Sequence, residues 1–273
     1  MRHEYYGYTK DELKQHAKFP MTVMEDNDSV FSFMAKEMTD EIEKNNKEGK
    51  RTVFICPVGP VGQYPYFVDR VNEKGISLKN VWFINMDEYL DEDKKWIDKD
   101  HPLSFRGFMD RAVYTKIRPE LLMPEEQRVF PDPDDLGRIP ALIEELGGVD
   151  IAFGGIGTNG HVAFNEADTS LGNDEFLAQK TRVLAITPET RTANAIGDLN
   201  GALEDMPLYC VTIGIAEIAG ARKIRLGCFR NWHRAVVRRA LCGEPSSAFP
   251  VSLLQSHRDI TLTFTEYVAR LSD

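Results

Sequence analysis

The sequence predicts an α/β protein: a single domain built on a mostly parallel sheet with helices on both faces. Three observations carry this. Short runs rich in β-branched and aromatic residues recur along the chain, helical stretches lie between most of them, and no low-complexity tract or linker interrupts the alternation. The runs 52–56, 81–85, 150–153, 181–186, 209–213 and 223–228 read as strands. They are nearly continuous in apolar residues, as strands covered on both faces are. The stretch 29–47 carries Val30, Phe31, Met34, Met38 and Ile42 at helical spacing, and 64–72, 105–113, 139–145 and 232–241 read as further helices. Residues 1–20 are polar and aromatic and find no place in this pattern, so they are expected to form an N-terminal arm on a domain spanning 21–273.

Composition narrows the function. The 273 residues carry a net charge of −10, and basic residues cluster no further than pairs such as Arg238-Arg239, so no nucleic-acid partner is expected. No apolar run approaches the roughly 20 residues that span a bilayer, and the first residues contain no apolar signal-peptide core. The expectation is a cytoplasmic protein that binds no membrane, with homo-oligomer formation left open. Cys56, Cys210, Cys228 and Cys242 lie far apart, without metal-ligand spacing, and read as free thiols of a reducing compartment.

In parallel sheets, ligands bind beyond the carboxyl ends of the strands. Three loops at such ends are chemically loaded: CPVGPVGQYP after the first strand, NMDEYL after the second, and GGIGTNGHVAFNE after the third. In the last, Gly155, Gly157 and Gly160 have the spacing of a dinucleotide-binding turn. That fingerprint also needs a helix at once and an acidic residue about 20 positions on, at the end of the next strand. The next strand begins near Thr181 and does not end on an acid, so no nucleotide cofactor is expected. The same loop reads better as an active site: glycines let the backbone approach a ligand closely, His161 brings a side chain that titrates near neutrality, and Glu166 is placed to orient it. Asp87 and Glu88 follow an apolar strand, where a partly desolvated carboxylate is raised toward the range useful for a general base. No metal-ligand constellation is visible.

Together, NMDEY, then HPLSFRGFM (101–109), GGIGTNGHVAFNE and TRVLAITPETRTANA (181–195) resemble, in order and spacing, the glucosamine-6-phosphate deaminases. The resemblance runs from about 52 to 256; its Gly-x-Gly-x-x-Gly-His core is shared with 6-phosphogluconolactonases. It implies a Rossmann-like fold and a metal-free reaction in which an aminosugar ring opens, a proton moves from C2 to C1, and the amine leaves as ammonia. It implies Asp87 as the proton-shuttling base, His161 as the ring opener and Glu166 as its orienting partner. Asn159 stands where members carry Asp or Asn. Gly59, Gly62, Glu88, Gly155, Gly157 and Gly160 would contact substrate.

The phosphate-binding parts depart from the family pattern. Where members carry a Gly-Ser/Thr-Thr-Pro turn, this chain has VGPVGQYP, with no hydroxyl side chain and a Pro60 that lacks an N–H. Ile196 and His233 stand where an arginine and a lysine are expected. His233 or the adjacent Arg234 is the candidate replacement, with Arg230 beside them, although the basic residues of 230–239 equally suit a solvated helix face. Arg182 and Arg191 suit a lid or an effector site, and the segment that follows Asn194 suits a moving lid. Two other readings stay open: a lactonase-like hydrolase, and a sugar sensor without turnover.

Overall fold

The computed structural model describes residues 3–271. Its strands are β1 (Met21–Met24), β2 (Thr52–Cys56), β3 (Val81–Asn85), β4 (Asp87–Leu90), β5 (Arg128–Val129), β6 (Ile151–Gly154), β7 (Arg182–Ala185), β8 (Tyr209–Thr212), β9 (Lys223–Cys228) and β10 (Ile260–Thr265). The helices are α1 (Lys10–His16), α2 (Asn27–Lys47), α3 (Gln63–Lys74), α4 (Phe105–Met109), α5 (Arg138–Glu145), α6 (Asn173–Leu177), α7 (Pro188–Asp198), α8 (Ile215–Ala219), α9 (His233–Cys242) and α10 (Glu266–Ala269).

Seven strands form one wholly parallel sheet in the order β1-β10-β9-β6-β2-β3-β5. In β2, Ile55 sits beside Ile84 of β3 and Ala152 of β6. Side chains alternate across the sheet. Val53 and Ile55 enter the core beneath α5, α8 and α9, and Phe54 and Cys56 enter the core beneath α2 and α3. The chain steps from β2 outward to β3 and β5, then crosses back so that β6 lies on the other side of β2. The loops after β2 and β6 therefore diverge, and a crevice opens between them.

Two of the expected strands belong elsewhere. The runs 181–186 and 209–213 become β7 and β8, and β8 pairs antiparallel with β7 on one side and β4 on the other in a small second sheet over the mouth of the crevice, with Asp87 opposite Thr212. Residues 3–20 of the arm, which include α1, dock on α9. Leu13 is buried in the main core, Arg238 Nε donates to the Tyr8 carbonyl at 2.9 Å, and Lys18 N donates to the Leu241 carbonyl at 2.9 Å. Arg238 is only 1% exposed and also donates to the Ala269 carbonyl at 2.8 Å, so this part of α9 is not a solvated face.

Candidate active site

A cavity of about 390 Å³ occupies the crevice. The loop after β2 contributes Pro57 to Gly62, the start of β4 contributes Asp87 and Tyr89, and the loop after β6 contributes Gly155, Gly157 and His161. The segment after β9 contributes Phe229, Arg230 and Trp232, and α7 contributes Asn194 and Asp198.

β4 aims its residues by strand alternation. Asp87 and Tyr89 face the cavity, and Glu88 faces the opposite way. Asp87 is 6% exposed; burial, helped by the Glu88 carboxylate next to it, holds its carboxyl well above the usual range. Asp87 thus holds its proton more tightly than an ordinary carboxyl. Glu88 is fully buried and accepts five hydrogen bonds. Its Oε1 takes the N–H groups of Tyr89 (3.0 Å) and Phe105 (2.9 Å). Its Oε2 takes Ser104 Oγ (3.0 Å), Arg106 N (2.9 Å) and Arg106 Nε (3.1 Å). The expectation that Glu88 contacts substrate is therefore corrected: it caps α4 and pairs with Arg106 on the far side of β4, which is why HPLSFRGFM accompanies NMDEY in this sequence.

The glycine loop shapes a seat for His161. A side chain at Gly157 would collide with the imidazole, so only glycine lets the ring lie flat on the backbone. His161 Nδ1 donates to Asn159 Oδ1 at 2.7 Å and lies 3.2 Å from Glu166 Oε2, while Asn159 Nδ2 donates to that same oxygen at 2.8 Å. With Nδ1 committed, Nε2 is the nitrogen left for chemistry. Burial works to raise the Glu166 carboxyl, but hydrogen bonds from His161 and Asn159 outweigh it and hold it below its usual value. Ala163, two residues beyond His161 and in the cavity wall, has φ of 56°, a strained conformation for a side-chain-bearing residue.

Gly59, Gly62, Gly155 and Gly157 line the cavity. Gly160 does not: its φ of 82° makes the turn, and Phe249 packs where a side chain would go, so it shapes the loop without touching a ligand. His233 lines the wall without serving as a cation. Its Nδ1 accepts from the N–H groups of Phe229 (3.0 Å) and Arg230 (2.8 Å), and its Nε2 donates to the Ile156 carbonyl at 3.0 Å. Burial, with Arg230 nearby, pulls its pKa down to about 4. Arg234 lies outside the cavity: it stacks on Tyr267 with its guanidinium 4.1 Å from the ring centre and donates to the carbonyls of Tyr267 and Leu271. Both expectations of a cationic replacement on α9 are corrected.

Three further residues have structural tasks that the sequence did not disclose. Arg182 donates to Asn165 Oδ1 at 2.8 Å, while Asn165 Nδ2 bonds the carbonyls of Val162 (2.9 Å) and Ile213 (3.1 Å), tying the catalytic loop to the small sheet. Arg191 donates to the carbonyls of Leu203 and Met206, fastening α7 to the segment after it. Tyr89 Oη accepts from Asn194 Nδ2 at 2.9 Å, joining α7 to β4 above the cavity. No helix among the described residues is long and apolar enough to cross a membrane.

A carboxyl with raised proton affinity and an oriented imidazole, facing one cavity at the switch point of a parallel sheet, define an acid–base enzyme for a small molecule. Comparison with known proteins makes this specific. The chain is 30% identical over 237 residues to a glucosamine-6-phosphate deaminase of Geobacillus sp. (strain WCH70), covering 84% of this chain and 88% of the relative. It is 29% identical over 251 residues to one from Caenorhabditis elegans, covering 90% and 89%. A solved monomeric glucosamine-6-phosphate deaminase superposes with a TM-score of 0.81 at 25% identity, over 93% of this chain and all of that one. The 6-phosphogluconolactonase of Trypanosoma cruzi shares the fold, with a TM-score of 0.64 at 14% identity over 93% and 97%. No family model matches the chain. The chain belongs to the glucosamine-6-phosphate deaminase family.

Proposed function

We propose that this protein is an aminosugar isomerase and deaminase, taking glucosamine 6-phosphate or a related aminosugar plus water to the ketose and ammonia. Asp87 and the Nε2 side of His161 facing one cavity is the observation that carries the reading. His161 Nε2 takes the proton of the anomeric hydroxyl and returns one to the ring oxygen, which opens the ring. Asn159 and Glu166 hold Nδ1–H and so keep the lone pair on Nε2. Asp87 then removes the C2 proton and delivers it to C1, leaving an imine at C2. Water adds to that imine, and ammonia leaves as the C2 carbonyl forms. A carboxyl whose proton affinity is raised by burial suits both halves of such a transfer. The four free cysteines, three of them buried, support a place in the reducing cytoplasm.

Ammonia release from a panel of aminosugars and their phosphates is the direct assay, with lactone hydrolysis as its control. Turnover of an aminosugar is the expected result. Lactone hydrolysis that survives Asp87→Asn would move the protein to the lactonase reading.

A further inference from the structure

The cavity has two unlike ends. Asp87 enters from the β3 side, while Phe229, Arg230 and Trp232 follow β9, and β2 and β6 lie between. Three strand spacings separate the strands that carry them, about 14 Å, and the side chains of both ends lean into the cavity between. At the β9 end the wall is apolar. Phe31 and Phe229 meet edge to face with ring centres 4.7 Å apart, Trp232 lies beside His233 at 4.0 Å, and Val58, Pro60 and Val61 complete the surface.

This end has little with which to hold an anion. Among the described residues no serine, threonine or lysine lines the cavity, and Pro57 and Pro60 offer no N–H. The Phe31 ring packs against Gly62, where α3 begins, on the side a Cβ would occupy. The neutral His233 spends both ring nitrogens on backbone groups. Arg230 is the one guanidinium lining the cavity among the described residues. It is exposed at the rim, reaches toward Gly197 on α7, and shares the cavity mouth with the Asp198 carboxylate. A phosphate dianion brought here loses its hydration and meets one screened cation and one carboxylate. A hydroxyl, which both donates and accepts, suits an arginine and an aspartate together, and the aromatic wall suits the C–H surface of a sugar.

We infer that this cavity takes a 2-amino-2-deoxyaldose left uncharged at the end remote from C1 and C2, a free hexosamine in preference to its 6-phosphate. The inference rests on the deaminase reading for the chemistry at C1 and C2, and on the β9 end of the cavity for the substrate's other end.

The two are separated by measuring binding and turnover independently. Calorimetric titration of the full-length Asp87→Asn protein with glucosamine and glucosamine 6-phosphate reports the cavity's preference without any reaction. Ammonia release by the wild type gives kcat/KM for the same pair. The expected result is tighter binding of glucosamine, with a kcat/KM for the free sugar at least equal to that for the phosphate. Equal or tighter binding of the phosphate, or a kcat/KM ratio in its favour, overturns the inference and leaves the deaminase reading standing. Glucosamine binding without ammonia release from either sugar overturns the deaminase reading while supporting the uncharged-end preference. Competitive inhibition by submillimolar inorganic phosphate would likewise overturn the inference, since it would reveal an anion site.

Discussion

The two faces of β4 hold neighbouring carboxylates of similar burial and opposite surroundings. Toward α4, Glu88 receives five donors, including the Arg106 guanidinium. Toward the cavity, Asp87 is driven by burial to keep its proton. Chemistry and depth are nearly shared; what separates a structural acid from a reactive one is the number of donors that face it.

The largest expected effect tests that difference directly. Asp87→Asn is expected to lower kcat by about 10³ or more. The same change removes a group whose folded pKa lies above its unfolded value. Such a carboxyl costs stability as pH rises from the ordinary carboxylate range toward its folded pKa, because the folded state binds the extra proton. The variant should therefore be more stable than the wild type near neutrality, as judged by denaturant midpoints at several pH values. Loss of stability instead would mean that Asp87 has partners like those of Glu88.

Glu88→Gln should do the reverse. Three of its five donors are backbone N–H groups and one is the guanidinium, and a neutral amide serves them poorly; a loss of about 2–4 kcal/mol is expected in chemical denaturation. The surviving folded protein should keep kcat within a few fold. A kcat loss as large as that of Asp87→Asn would sink the separation between the two faces.

His233 sharpens the comparison with a base in place of an acid. Its pKa of about 4 lies below the unfolded value, so the folded protein binds fewer protons than the unfolded chain between pH 6.5 and 4. Stability at its full value above that window should fall by about 1.4 kcal/mol per pH unit on acidification through it. His233→Gln should flatten that part of the profile. An unchanged slope would remove His233 as its source. The smallest effect belongs to Arg234→Ala, which should change stability by less than about 1 kcal/mol and leave the kinetics unaltered. A rise in KM for glucosamine 6-phosphate would return Arg234 to the site.

The loop that seats His161 stands out in the sequence because its residue types are costly anywhere else: glycines under a histidine, with Asn159 and Glu166 in reach. The sheet was legible where strands were continuous apolar runs. β1 and β5 were not, being an edge strand of partly covered residues and a two-residue pairing. β4 looks like a loop in the sequence because Asp-Glu opens it, and only the donors around α4 explain a strand with Glu at a fully buried position. β10 alternates Ile, Thr, Leu, Thr, Phe, Thr, a period-two pattern of a strand that differs from the continuous apolar runs of its neighbours. The basic residues of α9 misled, since charge along a sequence does not say which carbonyls fold back to meet it. Arg238 and Arg234 are spent on the backbone of the arm and of the last segment.

The pairing of β1 with β10 sets an order of assembly. Met21 to Met24 align with Leu262 to Thr265, and α1 rests against α9, so β1 and the arm find their strand and helix neighbours chiefly in the late part of the chain. During synthesis β1 leaves the ribosome long before β10 exists. The arm and β1 must wait in solution while β2, β3 and β6 find one another. Closure of the sheet's edge is thus a long-range event that comes late in folding.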